Sequence, residues 1–172
     1  MELKEFALRS LDDARAAMMQ SLDGLSDEEV LWQPQPGANH IAFILWHMAR
    51  IEDWFFQYMF QRVPQVWEAE RWHEKLNLPD DPRVTGWGYT ADQVASFPHV
   101  RLRDLLEYVT AVRCKTVDYI QSVDAATFDQ EVKSRILGET TVGLMIAHLV
   151  AEVCHHAGHV CFVRGLLRGP GG

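Results

Sequence analysis

The sequence predicts an all-α protein: an antiparallel four-helix bundle with a long irregular connection between the second and third long helices. Three observations carry this expectation. Four stretches repeat apolar residues at the helical spacing of three or four, no segment alternates convincingly as a strand, and proline and glycine clusters break the pattern between the stretches. The 172 residues suit one domain, expected over 1–168, with 169–172 as a flexible tail. A chain of this length buries roughly two-thirds of its unfolded surface and folds without covalent staples.

The first helix is expected from Leu3 to Leu22, with Phe6, Leu8, Leu11, Ala14, Met18 and Leu22 as its apolar stripe. Ser26-Asp-Glu-Glu29 reads as a capping box opening a short helical turn, and Pro34-Gln-Pro36-Gly37 ends that stretch. Asn39 is the expected N-cap of a second helix over Ile41 to Gln61, whose stripe is Ile44, His47, Met48, Ile51, Phe55 and Met59. Residues 62–97 are irregular, broken by Pro64, Pro79, Pro82, Gly86 and Gly88 and studded with Trp67, Trp72 and Trp87. Thr90-Ala-Asp-Gln93 is a second capping-box signature inside that connection. A connection this long is a functional loop or a linker, and its aromatics predict that it packs over one end of the bundle. The third helix is expected over His99 to Ser122 and the fourth over Val142 to Leu167.

Composition narrows the function classes. A net charge of −8 and a pI near 5.4, with no basic cluster, argue against nucleic acid and against anionic membrane surfaces. The longest apolar run, Ile41 to Trp46, is too short to span a bilayer, and MELKEFALRS lacks the apolar core of a signal peptide. Cys114, Cys154 and Cys161 are odd in number and form no C-x-x-C pair, which predicts a reducing, cytoplasmic setting, with Cys154 and Cys161 as small buried apolar residues. Six Trp and eight Phe are enough for a dense core and a dimer interface.

Chemistry concentrates in the fourth helix, where His148, His155, His156 and His159 fall within one short stretch. On a helical wheel Glu152, His156 and His159 lie within about 40° of Met145, amid the apolar face, while His148 and His155 lie further round. A core-facing carboxylate needs a partner, because an unpaired buried charge is costly. Glu152 and His156, one turn apart, can reach a common point, and a divalent metal there would satisfy both. His47 is the single polar member of the second helix's stripe and could meet it from the facing helix. Such an N/N/O set leaves positions open and suits zinc, nickel, iron or manganese about equally. The bland reading competes at each point: a hydrogen-bonded core histidine at 47, and a surface Glu–His pair at 152 and 156.

Two segments, Asn39-His-Ile-Ala-Phe-Ile-Leu-Trp-His47-Met-Ala-Arg-Ile-Glu-Asp-Trp54 and His148-Leu-Val-Ala-Glu152-Val-Cys-His-His156-Ala-Gly-His159, together with Val163-Arg-Gly-Leu-Leu167, resemble the DinB-like superfamily. The helical order of the whole chain follows that family, which includes mycothiol- and bacillithiol-dependent enzymes. The resemblance implies a four-helix bundle, often dimeric, with a metal held by His47, Glu152 and His156. His159 would then line the cavity or support a ligand, and the pair His155 and His159 forms a lower-ranked alternative frame. It further implies a metal-dependent enzyme, with zinc or nickel ahead of iron or manganese, that transfers a low-molecular-weight thiol to an electrophilic small molecule. Arg164 is a candidate contact for substrate or thiol, against its reading as a solvated helix-end arginine. Asp53 and Trp54 are candidates to line the site, with Trp54 better explained as packing. Hydrolysis by metal-bound water on the same site and a non-catalytic helical dimer with structural core histidines are the rivals.

Overall fold

Leu3–Leu22 forms α1 in the computed structural model, which describes residues 1–134 and 136–169. Apart from Gly169, the expected tail lies outside the described residues. The buried stripe of α1 is Ala7, Leu11, Ala14, Met18 and Leu22. Phe6, expected on the stripe, is 58% exposed, because the four-residue step back from Leu11 selects Ala7. α2 (Asp27–Val30) opens with the expected capping box: Ser26 Oγ accepts from the Glu29 amide, and the Ser26 amide donates to the Glu29 carboxylate at 2.8 Å. α3 (Ile41–Asp53) is buried at every residue, the pattern of a central helix. Its N-cap is His40 rather than Asn39: the Phe43 amide donates to His40 Nδ1 at 3.1 Å.

After Asp53 the same helix widens into a π-helical stretch, Trp54–Gln61, and stops at Arg62 in the left-handed conformation. The irregular connection carries three short helices, α4 (Val66–Ala69), α5 (Trp72–Leu76) and α6 (Ala91–Ala95), the last behind the expected Thr90–Gln93 capping box. α7 (Leu102–Ser122) starts three residues later than expected, behind Arg101 as N-cap. A 3-10 turn, Ala125–Asp129, leads into an antiparallel hairpin of β1 (Glu131–Ser134) and β2 (Gly138–Thr141), and α8 (Val142–Arg168) follows directly. The hairpin departs from the expected absence of strands. Its eight residues contain one apolar side chain, Val132, so no alternation signals it.

α1, α3, α7 and α8 are the four bundle helices, with α1 packed on α8 and α3 on both α7 and α8. The contacts fix their directions. Lys4 Nζ donates to the Gln121 carbonyl and Arg15 Nη2 to Thr110 Oγ1, so α1 and α7 run antiparallel. His47 meets His156, whereas Ile51 lies beside Leu149, so α3 and α8 also run antiparallel. By contrast, Arg164 reaches Asp23 and Arg168 reaches Gly24, which makes α1 and α8 parallel neighbours. α3 and α7 are parallel as well, with Arg50 beside Tyr108, Glu52 beside Arg113 and Phe56 against Tyr119. The order is thus up-down-down-up. Two parallel neighbours joined in sequence need a return connection as long as a helix, and this is the structural reason for the long segment between α3 and α7.

A buried polar network fastens that connection. Arg50, fully buried, donates to the Val84 and Pro82 carbonyls at 3.1 and 2.7 Å and to Gln65 Oε1 at 2.7 Å. Asp53, also fully buried, accepts from the first amides of α4, Val66 and Trp67, each at 2.9 Å, and from the Tyr108 hydroxyl at 3.1 Å. Burial pushes the Asp53 carboxyl up to about 6 in spite of these donors.

Candidate metal centre

His47 sits on α3 one turn after Phe43, whose ring lies parallel to it at 6.0 Å. Its Nδ1–H donates to the Thr85 carbonyl at 2.6 Å. A carbonyl can only accept, so this bond fixes the tautomer and leaves Nε2 with a free lone pair. From the facing helix, His156 brings its ring to 5.1 Å from that of His47, at 81° to it. Glu152, one turn earlier on α8, places Oε2 3.5 Å from His156 Nε2, an ion-pair distance rather than a hydrogen bond. The three side chains therefore line one small cavity, closed by Met48, Ile51, Leu149 and Val153.

The electrostatics favour neutral imidazoles. Burial lowers the His47 pKa, opposed by the Thr85 carbonyl and the Glu152 carboxylate. His156 is lowered to about 4, by burial first and then by His47. His156 Nδ1 is buried and bonded to no described group. Two neutral imidazoles with free lone pairs beside a carboxylate form a donor set of the kind that takes a divalent cation. As the side chains stand, no three His, Cys, Asp or Glu groups among the described residues are gathered closely enough to hold one. Glu152, with its side chain 27% exposed against 17% for His156, is the less buried of the two α8 members.

The remaining candidates fall in different places. His148 places Nε2 3.9 Å from Glu152 Oε1, on the side of the carboxylate away from His156. His159 is exposed rather than amid the apolar face, with its ring 5.6 Å from His156. The buried face of α8 runs through Leu149, Val153, Ala157 and Val160, rotated from the Met145 line, and this turns His159 outward. α8 is apolar almost all round, so periodicity alone fixes its inner face poorly. His155 is exposed as well. Arg164 Nη2 donates to the Asp23 carbonyl at the end of α1 and lies outside the cavity lining. Asp53 turns away to cap α4, and Trp54 packs on Phe55 and Tyr58 at the wall of a neighbouring cleft. All three cysteines are free and exposed, against the expectation that Cys154 and Cys161 are buried.

The contact that sequence reasoning missed is Thr85. It acts through a backbone carbonyl, which leaves no side-chain signature. The only trace is Gly86 beside it, at φ +85, where an added Cβ would come 2.8 Å from the Trp46 ring. Only glycine lets the chain pass so close over α3 and bring the Thr85 carbonyl to His47.

Compared with known proteins, residues 10–160 match the family model described as the DinB superfamily. The fold is similar to the crystal structure of a conserved protein from Enterococcus faecalis, with a TM-score of 0.88 at 20% identity, covering 99% of each chain. No curated protein matches the chain.

Proposed function

The chain belongs to the DinB superfamily, and from that premise we propose that it is a metal-dependent enzyme joining a low-molecular-weight thiol to an electrophilic small molecule. His47, Glu152 and His156 would hold the divalent ion, zinc or nickel ahead of iron or manganese. The observation that carries this reading is the His47–Thr85 bond. It orients one imidazole with its lone pair free, in the manner of a supported metal ligand. When bound, the ion would lower the pKa of a coordinated thiol and so supply a thiolate at neutral pH.

The chain's own groups do the rest. Glu152 contributes the negative charge that offsets a cation, and Met48, Ile51, Leu149 and Val153 keep the donor set in an apolar, low-dielectric surround. His148 and His159 flank Glu152 and His156, the first 3.9 Å from the carboxylate and the second with its ring 5.6 Å from that of His156. The three free, exposed cysteines suit a reducing, cytoplasmic setting.

The test is turnover of 1-chloro-2,4-dinitrobenzene by protein loaded with zinc or nickel, with bacillithiol or mycothiol added. Thiol-dependent product formation that disappears in His47→Ala is the expected result. No acceleration by any metal and thiol combination would refute the transfer reaction, and loss of substrate without added thiol would favour hydrolysis instead.

A further inference from the structure

Beside the candidate metal centre opens a cleft of about 830 Å³ that the donor set does not account for. One wall is the end of the α3 helix and its π-helical extension, with Ile51, Trp54 and Tyr58. The other is the segment from Arg83 to Tyr89, carried across by the long connection. Two residues join the cleft to the metal centre. Ile51 lines both spaces, and Thr85 forms cleft wall while its carbonyl holds His47. A molecule seated in the cleft therefore lies next to the donor set.

The lining says what kind of molecule that is. Trp54, Tyr58, Trp87 and Tyr89 give it aromatic faces from both walls, and the volume falls in the range of small-molecule sites. Trp87 is 65% exposed and Tyr58 49% exposed, so large aromatic surfaces stand at the rim with little protein covering them. Tyr89 is held rigid by Phe43 and Trp46, at 5.7 and 6.0 Å between ring centroids. Among the described residues the ionisable cation in the lining is Arg83, which is engaged by Asp81 through both Nε and Nη2, at 2.9 and 2.7 Å. Two of its donors are thereby turned to Asp81 rather than to a ligand carboxylate. A cationic ligand is disfavoured too, because the lining holds no carboxylate among the described residues, and the Arg62 guanidinium lies over one face of Tyr58 at 5.8 Å, leaving the ring otherwise half exposed.

We propose that this cleft binds the electrophilic substrate, and that the substrate is an uncharged planar aromatic molecule stacked on Trp87 and Tyr58 with its reacting end towards His47. The role of the bound molecule as electrophile rests on the metal-centre reading. Its binding does not.

The test is calorimetric titration of the full-length protein, with chelator present, using 2-naphthol, 2-naphthoate and 2-naphthylmethylammonium. These share one ring system and differ in charge. Wild type is expected to bind 2-naphthol saturably, with each charged analogue at least about fivefold weaker and with Trp87→Ala and Tyr58→Ala about tenfold weaker. Both variants change exposed side chains, and their unfolding midpoints serve as the check on folding. No saturable binding, equal affinity in wild type and both variants, or tighter binding of a charged analogue would each overturn the proposal. Dissociation of a wild-type dimer by the same two substitutions, without naphthol binding, would overturn it too and make the cleft a contact between copies. Because the titration is metal-free, an empty cleft and a missing metal give different results.

Discussion

At the scale of single residues, the candidate ligands and their neighbours differ in how they are written. His47 was legible because a histidine interrupts an otherwise apolar stripe, and Glu152 and His156 because a four-residue step brings them to one side of a helix. Thr85 was not legible, since its contribution is a carbonyl oxygen, nor was the exposure of His159 on a helix whose apolar residues mark no single face. His156 also carries a pH signature. Its pKa is depressed from 6.5 to about 4, chiefly by burial, so the unfolded chain binds a proton more readily than the fold does. Its contribution to stability is complete above the unfolded value and is lost as pH falls towards 4. His47, also depressed, acts in the same sense. Asp53 acts oppositely, since a carboxyl raised to about 6 stabilises most at low pH and loses that contribution as pH rises to its folded value. In urea unfolding of metal-free protein at about pH 7 and pH 4.5, His156→Ala should therefore lose less stability on acidification than wild type. Parallel losses in the two proteins would show that His156 is not held neutral by the fold.

At the scale of elements, the helix boundaries were well signalled where side chains write them. α1 lies where expected, and the capping boxes at Ser26 and Thr90 both form. The π-helical stretch after Asp53 and the hairpin before α8 carry no periodic signal, because one is a change of hydrogen-bond step and the other an almost wholly polar pair of strands. The long connection is held by Arg50, whose guanidinium satisfies three acceptors spread over residues 65 to 84. Removing it leaves the buried Asp53 carboxylate without its cation and the Val84 carbonyl without this donor, while the Pro82 carbonyl keeps only the Gln65 amide. Arg50→Ala should cost about 3–5 kcal/mol in guanidinium denaturation. A loss below about 1 kcal/mol would mean that the network contributes little and the connection is fixed by its aromatics alone.

At the scale of the whole molecule, the bundle was legible and its helix order was not. Apolar periodicity reports which residues are inside, whereas the parallel pairing of α1 with α8 depends on the length of a crossover that composition alone reads as a loop. The same scale raises the question of what covers α8. It is long and apolar enough to cross a membrane by length and composition, yet a third of its most apolar window is buried inside the bundle. Leu144, Ala151, His155, Gly158 and Phe162 lie on its outer side, all within about 40° of the line through Leu144 and Phe162, with Phe162 66% exposed. We propose that a second copy of the chain covers this face, small residues at its centre allowing close approach. Sedimentation should give a dimer for wild type and a monomer for Phe162→Glu; a monomeric wild type would exclude the interface.

The central claim is that α3 and α8 meet to hold a metal. Metal content by mass spectrometry on untagged protein, beside His47→Ala and Glu152→Ala, tests it most directly. About one zinc or nickel ion per chain in wild type, lost in both variants while their unfolding remains cooperative, is the predicted result. A wild type that carries no metal and takes up neither zinc nor nickel would contradict it, and would leave His47 as a core histidine tied to Thr85.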